Sequence, residues 1–285
     1  MRMQRRGAAL AAALGISAFA APAAIAASAN VAALQVALRA RGYYHGDVDG
    51  VTGPGTQDAL RRFQARKGLS VDGVAGPATR RALGRRGRPR LGSRPMTAGD
   101  RGWDVAALQF ELALHGFPGG SFDGGFGART DASLRRFQAW AGLGADGVAG
   151  AGTLAALRHP PARSILRFAA PVPGPIGDRY GPRGNRFHSG VDFPVPRGTR
   201  VNAAGRGCVT FAGYNDGYGK LVVIQHRLGM TSWYAHLARI TVRKGRCVVA
   251  GNRVGLVGST GHSTGPHLHF ELRLRNATVD PLSGL

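Results

Sequence analysis

Along residues 31–83, and again along 105–157, apolar side chains recur at helical intervals, as in Val31, Leu34 and Leu38 or Ala59, Leu60 and Phe63. Gly/Asp-rich segments interrupt the pattern between these runs. The spacing predicts a small three-helix domain in each stretch. Its third, short helix would start near Pro77, since proline is tolerated in a first turn and Ala-Thr-Arg-Arg-Ala-Leu follows it. From about Phe168 the helical period disappears. Short apolar runs, 206–211, 220–224, 230–234, 247–250 and 254–257, alternate with Gly-containing turns, which predicts antiparallel β structure. The expected fold class is therefore multidomain, with two small all-α units followed by a mainly antiparallel β domain.

The two helical stretches align with no gap, at roughly half of their positions with the same residue, so they are copies of one module. Val31-Ala-Ala-Leu-Gln35 returns as Val105-Ala-Ala-Leu-Gln109, and Asp49-Gly50 as Asp123-Gly124. Leu60-Arg-Arg-Phe-Gln-Ala65 returns as Leu134-Arg-Arg-Phe-Gln-Ala139, and Asp72-Gly-Val-Ala-Gly76 as Asp146-Gly-Val-Ala-Gly150. This pattern resembles the peptidoglycan-binding domain found beside wall hydrolases, and the resemblance covers nearly all of both units. It implies non-covalent attachment to wall glycan or stem peptides. Phe63 and Phe137 read as core and the Asp-Gly pairs as turns, so no binding residue is assigned.

Composition changes the picture in three ways. Met1-Arg-Met-Gln-Arg-Arg6 followed by an uncharged Ala/Leu-rich run to Ala27 reads as a signal peptide over 1–27, with a retained membrane anchor as the competing reading. Either way the remainder is exported: secreted, extracellular or periplasmic, and associated with the wall. A formal net charge of +23 over 285 residues points to polyanionic surroundings, such as anionic wall polymers. Arginines scattered without interleaved aromatics, and no P-loop, Rossmann or nucleophile-elbow motif, argue against a specific nucleic-acid partner. No stable membrane partner is expected after signal cleavage. Breaks at Gly84–Arg90 and around His159-Pro-Pro161 divide the chain into modules at 28–84 and 100–158, linkers at 85–99 and 159–170, and a domain at 171–285. Cys208 and Cys247 are read either as an export-permitted disulfide or as two separate buried thiols.

Two groups of histidines interrupt the β pattern: Phe187-His188-Ser-Gly-Val-Asp192 and Gly265-Pro-His267-Leu-His269-Phe-Glu271. Residues two apart on a strand project to one face, so His267 and His269 would look into one cavity, with Glu271 next along. Adjacent imidazoles repel when protonated and need partners when neutral, and a bound cation satisfies both demands. Two such nitrogens and a carboxylate, with a fourth position left for water, describe a catalytic zinc site.

Together with Ser232-Trp-Tyr-Ala-His236-Leu237 and Gly258-Ser-Thr-Gly261, these motifs resemble the lysostaphin/LytM-type zinc metalloendopeptidases from about Arg179 to Pro281. The resemblance implies that His188, Asp192 and His269 hold Zn2+ and that His267 and His236 stand off the metal beside the attacking water. It makes His267 the candidate general base, imidazole being suited to proton transfer near neutral pH, and gives His236 the oxyanion or a share of the proton traffic. The expected function is a zinc-dependent endopeptidase that hydrolyses peptidoglycan stem or cross-bridge peptides. The alternative is a non-catalytic wall scaffold or activator of other hydrolases. Around this set, Glu271 reads as an orienting partner of a ligand or a salt-bridge residue, His226 as structural, and His262 as exposed. Tyr180 is a candidate oxyanion donor, and Gly213–Gly219 a groove wall or a plain hairpin turn.

Overall fold

The computed structural model describes residues 27–285, so all but the last residue of the leader read over 1–27 lies outside the described residues. Each module has three helices: α1 Ala29–Arg39, α2 Pro54–Arg66 and α3 Pro77–Ala82 in the first, and α4 Trp103–Leu114, α5 Ala128–Trp140 and α6 Ala151–Ala156 in the second. Pro54 and Pro77 occupy first turns, where the missing N–H costs no hydrogen bond.

The repeated Gln and Asp-Gly positions belong to one device. Buried Gln35 donates from Nε2 to Asp49 Oδ1 at 2.6 Å, Val51 O at 3.1 Å and Thr56 Oγ1 at 3.0 Å, while its Oε1 accepts from Gly50 N at 2.9 Å. Gln64, Gln109 and Gln138 make the same set of bonds to their own Asp-Gly loop and the following helix. The glycine in each loop has φ between +71° and +73°, which a side chain would strain. A buried amide thus satisfies a loop that would otherwise carry unpaired backbone groups, and that requirement explains why both residues recur together.

The modules are not beads on a string. Helices α1 and α4, which are equivalent in the repeat, pack on each other in one core that includes Leu38, Phe63, Trp103 and Phe110, and Trp103 Nε1 donates to Asn30 Oδ1 at 3.2 Å. The segment read as a linker over 85–99 is partly structural: Met96 is fully buried in the second module's core and bridges to Ala149, and Arg94 pairs with Asp100 and Asp104. Its basic charge is therefore only partly free.

The remaining strands are β1 Gly181–Arg183, β2 Arg186–His188, β3 Val191–Phe193, β4 Arg200–Asn202, β5 Gly207–Asn215 and β6 Gly219–Gln225. They continue as β7 Met230–Ile240, β8 Cys247–Val248, β9 Arg253–Val257, β10 Leu268–Leu274 and β11 Ala277–Val279. β1 and β2 form a separate hairpin. The others make an antiparallel sheet in the order β11-β10-β7-β6-β5-β8, with β3 on β10 and β9 bridging β4 and β7. Its core gathers Val191, Phe193, Val222, Ile224, Tyr234, Phe270 and Leu272. Cys208 and Cys247 face each other across β5 and β8 and are joined in a disulfide, which resolves the two readings in favour of the bridge. No helix among the described residues is long and apolar enough to cross a membrane.

Replacing Gln138 by Ala strands the buried Gly147 N–H and removes the donor to Val148 O and Thr153 Oγ1, and is expected to cost about 2 kcal/mol of unfolding free energy. Urea denaturation followed by tryptophan fluorescence checks this, and a loss below ~0.5 kcal/mol contradicts the hub.

Candidate metal centre

Three segments bring the site together. β3 pairs with β10 so that Asp192 lies directly opposite His269, and β10 is held on its other edge by β7, with Ala235 opposite His269. His188 ends β2 and reaches the same point across Ser189-Gly190. A Cβ at position 190 would lie 2.4 Å from Phe270 O and 2.9 Å from the His269 ring, so only glycine lets the His188–Asp192 loop cross β10 this closely.

The donor atoms converge. His188 Nε2 lies 3.2 Å from Asp192 Oδ1 and 3.1 Å from His269 Nδ1, and His269 Nδ1 lies 2.8 Å from Asp192 Oδ1. The far nitrogen of each ring is already engaged: His188 Nδ1–H donates to Arg179 O at 2.8 Å, and His269 Nε2–H donates to Glu271 Oε1 at 3.0 Å. Both bonds select the tautomer whose lone pair points at the shared centre. Two nitrogen lone pairs and a carboxylate oxygen aimed at one point suit a metal ion. In its absence, burial opposes a charge on His269, but Asp192 and Glu271 outweigh it and raise its pKa to about 9. Burial likewise opposes the Asp192 carboxylate, and the hydrogen bonds from His188 and His269 reverse that and hold it well below the usual carboxylate range.

Glu271 unites the two roles read for it. Fully buried, it accepts from His269 and from Tyr218 O–H at 2.9 Å through Oε1, while Oε2 accepts from Arg273 Nε at 2.7 Å and Nη2 at 2.6 Å. Arg273 in turn lies over the Trp233 ring at 3.6 Å. The sequence reading missed Tyr218, Arg273 and Trp233. Alternation along β7 and β10 sets Trp233 and Arg273 on the face of Glu271, but nothing in the spacing says that a buried charge needs them, and Tyr218, in the β5–β6 turn, has no such signal.

An open groove of about 900 Å³ runs over the centre. Its walls include Gly217 and Tyr218 from the β5–β6 turn and the adjoining 262–266 loop, whose His262 N–H donates to Gly217 O at 2.8 Å, so the tip of the Gly213–Gly219 segment is a hairpin turn that also lines the groove. His267 and His236 enter the groove with ring centroids 4.7 Å apart, and His236 lies 5.8 Å from the His269 ring. His267 Nε2 is 3.8 Å from Asp192 Oδ1, and its Nδ1 is engaged by Gly265 O at 2.8 Å. His236 Nδ1–H donates to Thr260 O at 2.7 Å, leaving Nε2 as an acceptor. His236 also has φ +59°, a conformation uncommon for a residue with a side chain and concentrated at functional sites. Its burial, with the neighbouring histidines, depresses its pKa to about 4.

Three other candidates stand apart from the centre. His226 is buried between Arg206 O at 2.8 Å and Ser232 Oγ at 2.7 Å, as a structural histidine would be. His262 is exposed at the groove rim. Tyr180 turns its hydroxyl to Thr278 O at 3.0 Å, so it has no proton to offer an oxyanion.

Residues 186–281 match peptidase family M23, and residues 27–83 and 101–157 each match a peptidoglycan binding domain. Over 98 residues the chain is 46% identical to the DD-carboxypeptidase/endopeptidase Mpg of Neisseria meningitidis serogroup B, a match covering 34% of this chain and 23% of that protein. It is 42% identical over 108 residues to the peptidoglycan DD-endopeptidase ShyA of Vibrio cholerae, covering 38% of this chain and 24% of the relative. The chain thus spans about a quarter of the length of these relatives. Among solved structures, the catalytic domain of lysostaphin from Staphylococcus simulans matches at 35% identity and a TM-score of 0.37, covering 38% of this chain and 90% of that one.

Because His236 binds a proton less readily folded than unfolded, the stability it contributes is present above its ordinary pKa near 6.5 and is lost as pH falls towards about 4. An NMR titration of the metal-free protein is expected to find it neutral down to that region, and a midpoint above 6 contradicts this. Glu271→Leu is expected to weaken metal affinity roughly 10- to 100-fold in a chelator competition, with Glu271→Gln milder because an acceptor for His269 remains.

Proposed function

We propose, from the membership of residues 186–281 in peptidase family M23, that the chain is an exported zinc endopeptidase cleaving peptide bonds in the stems or cross-bridges of peptidoglycan. The observation that carries the proposal is the convergence of His188, Asp192 and His269 on one point at the floor of an open groove, with two further imidazoles beside it. Zinc suits a two-nitrogen, one-oxygen set with a coordination position open to the groove, whereas calcium and magnesium favour all-oxygen surroundings. When bound it would polarise the scissile carbonyl and make a water acidic enough to ionise near neutral pH.

The chain's own residues supply the rest. The groove, walled in part by the backbone of Gly177, Gly217 and Gly265, suits an extended peptide. His267 takes the proton of the attacking water at Nε2, and Asp192 at 3.8 Å stabilises the imidazolium that forms before the proton passes to the leaving amine. His236, kept neutral by burial and with Nδ1–H committed to Thr260 O, orients the water as an acceptor. An oxyanion-donor role would need a protonated Nε2, which that burial opposes. Peptidoglycan as substrate rests on the two peptidoglycan binding domains and on the activities named for the relatives from Neisseria meningitidis and Vibrio cholerae. The same domains act as its anchor, and the leader read over 1–27 supports export. Intact ligands and both accessory imidazoles weigh against the scaffold alternative.

Purified protein is expected to release soluble peptidoglycan fragments from sacculi by cutting their peptide cross-links. A chelator, Asp192→Ala or His269→Ala should abolish the release, and His267→Ala should lower kcat/KM roughly 10²- to 10⁴-fold with the metal retained. Undiminished release by Asp192→Ala or His269→Ala contradicts the assignment.

A further inference from the structure

The β1–β2 hairpin pairs with no other strand among the described residues, yet it ends in His188. A two-stranded hairpin alone is marginally stable in water, so the position of that imidazole depends on what holds the hairpin from outside. The modules do. At its two-residue turn, Gly184 O accepts from Val48 N at 2.7 Å, and the next carbonyl, Asn185 O, accepts from Phe122 N at 2.7 Å. Positions 48 and 122 are equivalent in the repeat, each standing one residue before its Asp-Gly pair, Asp49-Gly50 or Asp123-Gly124. Both side chains are buried in the core shared by α1 and α4, and Phe187, adjacent to His188, packs against that same core. Asp47 adds a contact that the second copy cannot reproduce: its Oδ1 accepts from Gly184 N at 2.6 Å, where the repeat has Ser121.

We infer that the two modules form one clamp on the hairpin that carries His188, and that Asp47 is a positioning residue for the metal site although it touches no ligand. The duplication then has a second use beside wall attachment. One loop from each copy takes one of two successive carbonyls, which fixes the tilt of the turn as well as its place. Tyr180, edge-on to Phe187 at 4.9 Å and hydrogen-bonded to Thr278, closes the hairpin from the peptidase side. Burying Phe187 among module residues carries the constraint to within one residue of the ligand.

The inference rests on the reading of His188 as a metal ligand, and its test separates the two. In the full-length chain, zinc affinity is measured by competition with a chromophoric chelator, and order in the turn by hydrogen exchange over residues 181–188. Asp47→Ala is expected to speed exchange at the Gly184 amide and to weaken zinc binding roughly three- to tenfold, the worth of one hydrogen bond. Asp47→Asn, which keeps an acceptor in place, should restore both. His188→Ala should lose zinc far more severely. Unchanged zinc affinity in Asp47→Ala overturns the clamp while leaving the ligand assignment standing, and a wild-type chain that binds no zinc overturns both.

Discussion

Two imidazole nitrogens and a carboxylate oxygen within 3.2 Å of one another need a positive charge among them, either a proton on His269 or a metal ion at the point they share. Much of the β domain is arranged around that constraint. Asp192 and His269 face each other on paired strands, glycine at 190 lets the loop from His188 cross β10, and His188 and His269 each have the other ring nitrogen occupied. Holding His269 in turn places a carboxylate, Glu271, in a fully buried position. A lone buried charge would cost several kcal/mol, and Arg273, Tyr218 and Ser189 surround this one with donors. The converging side chains and the core therefore cannot be varied independently.

The helical half solves a different problem with equal economy. Its short helices bury too little apolar surface to fix long loops by packing alone, so a buried glutamine amide organises each Asp-Gly loop, four times over. The loops so fixed are rigid enough to present a backbone N–H at a set position, and two of them meet the β1–β2 turn. Contacts elsewhere tie the halves further: Trp140 Nε1 donates to Leu274 O at 3.3 Å and Thr278 N to Gly116 O at 3.1 Å. The helical modules and the β domain meet over a packed interface rather than only through a linker.

How much of this was legible beforehand follows from which interactions are local. Period and turn residues announced the six helices and the change to β structure, because both depend on neighbours a few positions away. The Gln and Asp-Gly repetition was visible, but its cause was not, since a hydrogen-bonding hub spans 14 to 21 residues between Gln35, Asp49 and Thr56. The two histidine motifs were legible because His267 and His269 share a strand face and His188 and Asp192 share a tight loop. Tyr218 and Arg273 were not, because their role exists only once β6, β7 and β10 stand side by side. The left-handed backbone at His236 and the grip of positions 47, 48 and 122 on the hairpin were likewise invisible, being set by tertiary contacts that leave no periodic trace.

The convergence of His188, Asp192 and His269 calls for one metal ion at the point they share. Crystals of the full-length protein grown with zinc and measured on either side of the zinc absorption edge test it most directly. One anomalous peak per chain is expected at roughly 2.0–2.2 Å from His188 Nε2, Asp192 and His269 Nδ1, with Glu271 still bonded to His269 Nε2. A peak held by other residues, or none at this point under saturating zinc, would contradict it.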